Sequence, residues 1–206
     1  MEAVRKITLV LGMVLFMNGT ALAATNPSTA TESSSTGTSD LSVGIPVLYR
    51  ISAINDLTHA NYVDNTSSPA LSMNDDVCVY TNHATSANYN IQMAGSSTAT
   101  TTAVNTGNNS SGNIFAISNS SNDQHIPYKV YWNDATGTTG RAQVGTEGGT
   151  EASTGSNQTS ASRDWQCSTE GGTNANFSVD FDREDILDVL AGTYTGTLTI
   201  TLLPGT

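Results

Sequence analysis

The stretch Thr193–Leu203 reads Thr-Tyr-Thr-Gly-Thr-Leu-Thr-Ile-Thr-Leu-Leu and constrains the fold more than any other part of the chain. Tyr194, Gly196, Leu198, Ile200 and Leu202 alternate with Thr195, Thr197, Thr199 and Thr201. Side chains on a strand point alternately to opposite faces, so this period of two gives one face fit for a core and one for water. A helix would scatter the same residues around its whole circumference. The segment is therefore expected to be a half-buried strand.

The same period recurs upstream. Leu41, Val43, Ile45, Val47, Tyr49 and Ile51 keep one apolar phase, broken by Pro46, which lacks an N–H donor and so implies an edge position or a split into two short strands. Asp76–Thr81 and Asn88–Ala94 predict two further strands joined as a hairpin, with Tyr89, Ile91 and Met93 on one face. Ile114–Ile117 predicts a short strand. Ile126, Tyr128, Val130 and Trp132 form the clearest alternation of the middle of the chain, and Phe177, Val179 and Phe181 another. Polar loops are expected from Asn55 to about Asp75, over Ser96–Gly112, and over Asp134–Ser162, the last with a short ribbon around Ala142–Val144. Asp182–Gly192 is the one helical stretch: Asp182 can cap it, acidic residues fill its first turn, and Gly192 can end it. About seven strands, many turns and one short helix before the last strand predict an all-β, antiparallel β-sandwich.

Three segments divide the chain. Residues 1–23 carry Arg5 and Lys6, an apolar run from Ile7 to Met17, and Ala21-Leu22-Ala23, the pattern of a secretory signal peptide cut after Ala23. Residues 24–40 contain ten Ser or Thr among seventeen and no Val, Ile, Leu or aromatic residue, which predicts a disordered tail. Residues 41–206 form a single sandwich domain. Without Glu2, Arg5 and Lys6, the seven basic and eighteen acidic residues fall to five and seventeen, a net charge near −12. Such a surface repels phosphate backbones and argues against nucleic-acid binding. No membrane span is expected after signal cleavage, and the chain is expected to be exported through a periplasm to a cell surface or the medium. Cys78 and Cys167 are the only cysteines. In an oxidising compartment they predict one intramolecular disulfide closing a loop of about 90 residues, with roughly 4.5 kcal/mol of chain-entropy stabilisation.

Val189-Leu-Ala-Gly-Thr-Tyr-Thr-Gly-Thr-Leu-Thr-Ile-Thr-Leu-Leu-Pro204 resembles the closing segment of spore coat protein U-like domains, a group that includes subunits of archaic chaperone–usher pili. Ile126-Pro-Tyr-Lys-Val-Tyr-Trp132 is similar to that family's central strand, and Asn174-Ala-Asn-Phe-Ser-Val179 to its penultimate one. The resemblance implies an incomplete immunoglobulin-like (pilin-like) sandwich whose missing strand comes from a partner. The implied partners are a periplasmic chaperone and other fimbrial subunits, and the implied assembly strand carries Tyr194, Leu198, Ile200 and Leu202. The physical basis is β-augmentation, in which an open edge and groove accept backbone hydrogen bonds and alternating side chains. Two placements of a donor segment stand open: Ala24–Asp40 is too polar for the role, and Leu41–Ile51, if it is the donor, leaves the body without its first strand.

No reaction and no cofactor are expected. His59, His83 and His125 fall in polar, loop-like surroundings with no paired ligand spacing. Gly-x-Ser-x-Gly is absent, and Gly145–Gly149 has no following Lys for a phosphate cradle. Asp180, Asp182, Glu184 and Asp185, with Asp188 nearby, are weak calcium candidates that a helix start explains equally well. Tyr62, Tyr131, Trp132 and Trp165 could form an aromatic platform for a glycan, although the phase of Trp132 places it in the core. The competing expectation is thus a self-complete, secreted carbohydrate- or calcium-binding module.

Overall fold

The computed structural model describes residues 27–29, 32–83, 85–96, 115–121, 124–145, 152–153 and 158–205. The signal-peptide assignment, most of the loop 96–112, Ile114, and parts of the excursion 134–162 lie outside the described residues. The chain divides into an N-terminal unit ending at Ile45 and a body, Pro46–Thr206.

The body is all-β. Among the described residues its strands are β1 (Tyr49–Ser52), β2 (Leu71–Thr81), β3 (Tyr89–Gly95), β4 (Ala116–Ser118), β5 (His125–Pro127), β6 (Lys129–Asn133), β7 (Ala142–Gly145), β8 (Ala152–Ser153), β9 (Ala175–Phe181) and β10 (Leu198–Pro204), with one short α-helix, α1 (Arg183–Leu187), and a single 3-10 turn at Ser168–Glu170. They form a five-stranded sheet in the order β1-β2-β9-β6-β7, a three-stranded sheet β10-β3-β8, and the pair β4-β5. Every ladder between these strands is antiparallel.

One core joins these sheets. Val77 and Val79 of β2, Val130 and Trp132 of β6, and Phe177, Val179 and Phe181 of β9 pack with Tyr89, Ile91 and Met93 of β3 in a single buried cluster. The alternation of β6 and β9 thus places their apolar residues as the sequence requires. Their other face is polar but also largely covered. There Arg141 lies 4.1 Å from the Tyr131 ring and donates to Ser178 Oγ at 2.7 Å and to the buried Asp180 carboxylate.

Two expectations fail in an instructive way. The strands β2 and β3 are not a hairpin: they belong to different sheets. Ile126–Trp132 is not one strand either. Pro127, which cannot donate to a ladder, ends β5 after its pairing with β4, and the chain then joins β9 as β6. Tyr128, at the switch, donates its N–H to Phe115 O at 3.0 Å. Elsewhere β2 starts at Leu71, inside the expected loop, and α1 spans five residues, with Asp188 rather than Gly192 at its end.

Asparagines substitute for missing ladder bonds. Asn174 accepts from Val79 N at 2.8 Å and donates to Val79 O at 2.9 Å and Ser160 O at 2.7 Å, closing the buried end of β2 beyond its register with β9. Trp132 donates through its indole to Tyr89 Oη at 3.3 Å, and Tyr89 in turn donates to Asp134. That bond explains how a tryptophan and a tyrosine are both accommodated in the core.

Burial holds the phenols of Tyr89 and Tyr128 well above their ordinary value of 10.0, and the Asp134 charge adds to the effect at Tyr89. The unfolded chain therefore loses these protons first. Stability is full below pH 10 and declines as the pH rises above it, by about 1.4 kcal/mol per pH unit for each tyrosine. Denaturant unfolding at a series of alkaline pH values is expected to show this slope for Tyr89 and Tyr128, and Tyr128→Phe to reduce it.

Candidate functional site

The site is built around β10. Its ladder with β3 runs from Leu198↔Gly95 to Pro204↔Tyr89, and no described strand pairs with its other edge. The alternation seen in the sequence is realised here: Leu198, Ile200 and Leu202 face the core, while Thr199 and Thr201 are exposed. Yet the inward residues are only half-buried, whereas Tyr89, Ile91 and Met93 on the adjacent β3 are completely enclosed. β1 of the other sheet comes within 8 Å of β10 between Cα atoms but is not paired with it. Tyr49 and Ile51 of β1 and Leu71 and Met73 of β2 are half-buried in the same way and pack against the same core. The result is an apolar seam between two unjoined strands, with a row of backbone groups along β10 as one lip.

Of the expected assembly residues, Leu198, Ile200 and Leu202 line this seam. Tyr194 lies outside β10. Its hydroxyl proton is within donating distance of both Gln124 Oε1 at 3.0 Å and Leu190 O at 2.8 Å, so it anchors the approach to the strand. Thr195 bridges Ser118 through N–H to O contacts of 2.8 and 2.9 Å. Gly196 sits tightly against β4, where a Cβ would meet Ile117 Cγ2 at 3.1 Å.

The first apolar alternation divides at a point the sequence did not place. Only Tyr49–Ser52 forms β1, and its ladder with β2 starts at Tyr49↔Thr81. One step further, Asn82 takes over. Its N–H donates to Leu48 O at 3.3 Å, its Oδ1 accepts from Leu48 N at 2.6 Å, and its Nδ2 donates to Pro46 O at 2.9 Å. The body therefore keeps its first strand. Upstream, Leu41, Val43, Ile45 and Val47 carry no regular structure and are 94, 85, 74 and 51 % exposed. Four alternating apolar side chains over seven residues stand in water. The described part of Ala24–Asp40 is exposed as well.

The acidic residues considered for calcium do not converge. Asp180 is committed to Arg141, Asp182 bonds Lys129 at 2.7 Å, and Asp185 is buried in α1. Among the described residues no group of three metal-type ligands comes together. His59 is exposed, but His125 is not in a loop: it is buried on β5, and its Nδ1 lies 2.8 Å from Oγ of its cross-strand neighbour Ser118. Sequence reading missed this because the ladder partner that satisfies the ring is seven residues away. His83 is half-buried and its Nδ1 accepts from Ser86 N at 3.2 Å. The aromatic platform is also dispersed. Trp132 is core, Tyr131 is half-buried beside Arg141, Tyr62 is half-buried, and Trp165 alone is widely exposed. Cys78 and Cys167 form the expected disulfide, with Cα atoms 5.8 Å apart. No helix among the described residues is long and apolar enough to cross a membrane.

Comparison with protein-family models, with curated proteins and with solved structures gives no match.

Proposed function

We propose that this protein is an exported, non-enzymatic fimbrial-type subunit, an immunoglobulin-like sandwich that lacks one strand and is completed by a strand from a partner. The observation that carries this reading is the seam along β10: a free edge whose inward leucines and isoleucine are only half-covered. A second feature supplies the complement. Leu41–Val47 spans seven residues, as β10 does, with apolar side chains at every second position exposed to water. On this reading the arm of one copy pairs along the free edge of β10 of the next, adding backbone bonds and covering its half-buried side chains. Burying four such side chains supplies roughly 1.5–3 kcal/mol each, enough to offset the ordering of a short segment. An export chaperone would cover the seam until assembly, since an open edge beside exposed apolar surface invites aggregation.

The test is a synthetic peptide spanning residues 39–49, added to the chain (residues 24–206) whose own arm is disabled by Val43→Asp and Ile45→Asp. At one hundred times its dissociation constant the peptide is expected to stabilise the acceptor by about 2.7 kcal/mol, a rise of roughly 5–10 °C in Tm. A scrambled peptide should leave Tm unchanged. No shift at saturating concentration would remove the reading.

A further inference from the structure

A second feature is the exposed Trp165 turn, which Arg50 of β1 touches. Trp165 is 56 % exposed, and the turn that carries it is firmly held. The Asp164 carboxylate accepts from Gln166 N at 3.1 Å and Ser168 N at 2.8 Å, and the Asp164 carbonyl accepts from Cys167 N at 2.9 Å. These amides hold the Asp164 carboxyl below its ordinary range, so it stays ionised and occupied. Cys167 itself adopts φ 51° and is bound to Cys78 of β2. A ring displayed on such a turn loses little freedom when something stacks on it.

The cations of the body give this ring a special setting. Beyond Lys6 the chain has one lysine and four arginines. Lys129, Arg141 and Arg183 are each neutralised by an aspartate, Asp182, Asp180 and Asp64 respectively. The two without an ion pair among the described residues are Arg50, on β1, and Arg163, on the bend that carries Trp165. The Arg50 guanidinium lies 5.0 Å from the indole centroid and donates from Nη1 to Trp165 O at 3.1 Å. Arg163, exposed, precedes Trp165 by two residues on the same bend. The nearby Glu170 carboxylate is engaged by Ser162 Oγ at 3.0 Å and Thr169 Oγ1 at 2.7 Å. In a chain with a net charge of −11, the two arginines without an ion pair thus lie on the strand and the bend that hold its exposed indole.

We propose that the Trp165 turn binds an acidic saccharide, a pyranose bearing a carboxylate. The apolar C–H face of the sugar stacks on the indole, and the carboxylate takes a two-pronged bond from a guanidinium of Arg163 or Arg50. The turn is separate from the β10 edge, so the proposal does not depend on strand complementation. It offers a flat ring and two cations but no open ladder edge of its own, which favours a sugar over an acidic peptide.

The chain has two tryptophans, and Trp132 is sealed in the core, so a ligand-induced change in indole fluorescence reports Trp165. Titrating the chain (residues 24–206) with trigalacturonate is expected to give a saturable change that weakens at high salt. Neutral galactotriose and hexaglutamate should give none. By calorimetry, affinity should fall about tenfold or more, at least 1.4 kcal/mol, in both Trp165→Ala and Arg163→Ala. Unchanged thermal unfolding of both variants would show that the losses are local. Absence of a saturable signal at millimolar trigalacturonate, equal binding of galactotriose or hexaglutamate, or undiminished binding by Trp165→Ala would each overturn the proposal.

Discussion

Replacing Cys78 and Cys167 together by alanine is expected to lower the melting temperature by roughly 10–15 °C. The bond spans 89 residues of sequence, and both sulfurs are buried. A loop of that length restricts the unfolded chain by roughly 4.5 kcal/mol in the chain-entropy model, and 1 kcal/mol moves the midpoint by about 2–4 °C in a chain of this size. The position adds to the effect. Cys78 sits in β2 opposite Ser52 of β1, and the bond fastens the turn after Ser162 to that strand. Arg50, two residues before Ser52, rests on the same turn through Trp165. Loss of the disulfide should therefore loosen β1 first, and with it one wall of the seam. Thermal unfolding by circular dichroism measures the first effect. A shift below about 3 °C would mean that the native structure relaxes around the missing bond or that the unfolded chain is already restricted.

The second large effect concerns assembly. Val43→Asp with Ile45→Asp is expected to abolish self-association of the chain (residues 24–206) while leaving its unfolding midpoint within about 2 °C of an isolated wild-type body, because surface changes away from packed features cost little. Both side chains are exposed, so the substitutions remove nothing from the core. In the seam of another copy the same carboxylates would be desolvated without partners, at a cost of several kcal/mol each. On the acceptor side, Ile200→Asp should also block association but destabilise the body, since Ile200 packs against the core. Sedimentation velocity distinguishes the two outcomes. Association undiminished by the arm substitutions would place the contact elsewhere.

Much of the strand pattern was legible because period-two alternation is a local signal. It located β3, β6, β9 and β10 and identified Trp132 as core, and the Cys78–Cys167 pairing followed from arithmetic alone. What escaped were long-range choices. Residues 82–88 read as a hairpin, but whether two strands pair or face each other across a core depends on partners far away in the chain, here β9 at Ala175–Phe181 for β2 and β10 at Leu198–Pro204 for β3. The break at Tyr128 is signalled in the sequence only by Pro127, whose missing N–H is masked by the strong alternation around it. The division of Leu41–Ile51 was half-signalled by Pro46; the other half is the Asn82 clamp, which no periodicity reveals. The acidic run Asp180–Asp185 looked like a ligand set because its strand and helix residues are adjacent in sequence. In the fold Asp180 and Asp182 turn to Arg141 and Lys129. The Trp165 setting was invisible for the converse reason: Arg50 and Trp165 are 115 residues apart.

The most direct test is amide hydrogen exchange over Leu198–Pro204, comparing the wild-type chain (residues 24–206) with the Val43→Asp/Ile45→Asp chain before and after addition of the 39–49 peptide. In the variant alone, amides of β10 that bond to β3 should be protected, while those facing the free edge exchange as solvent-exposed groups do. In the wild-type assembly, and in the variant with peptide, the free-edge amides should become protected too. Unchanged exchange along β10 in an assembled or peptide-saturated sample would contradict strand complementation at this edge.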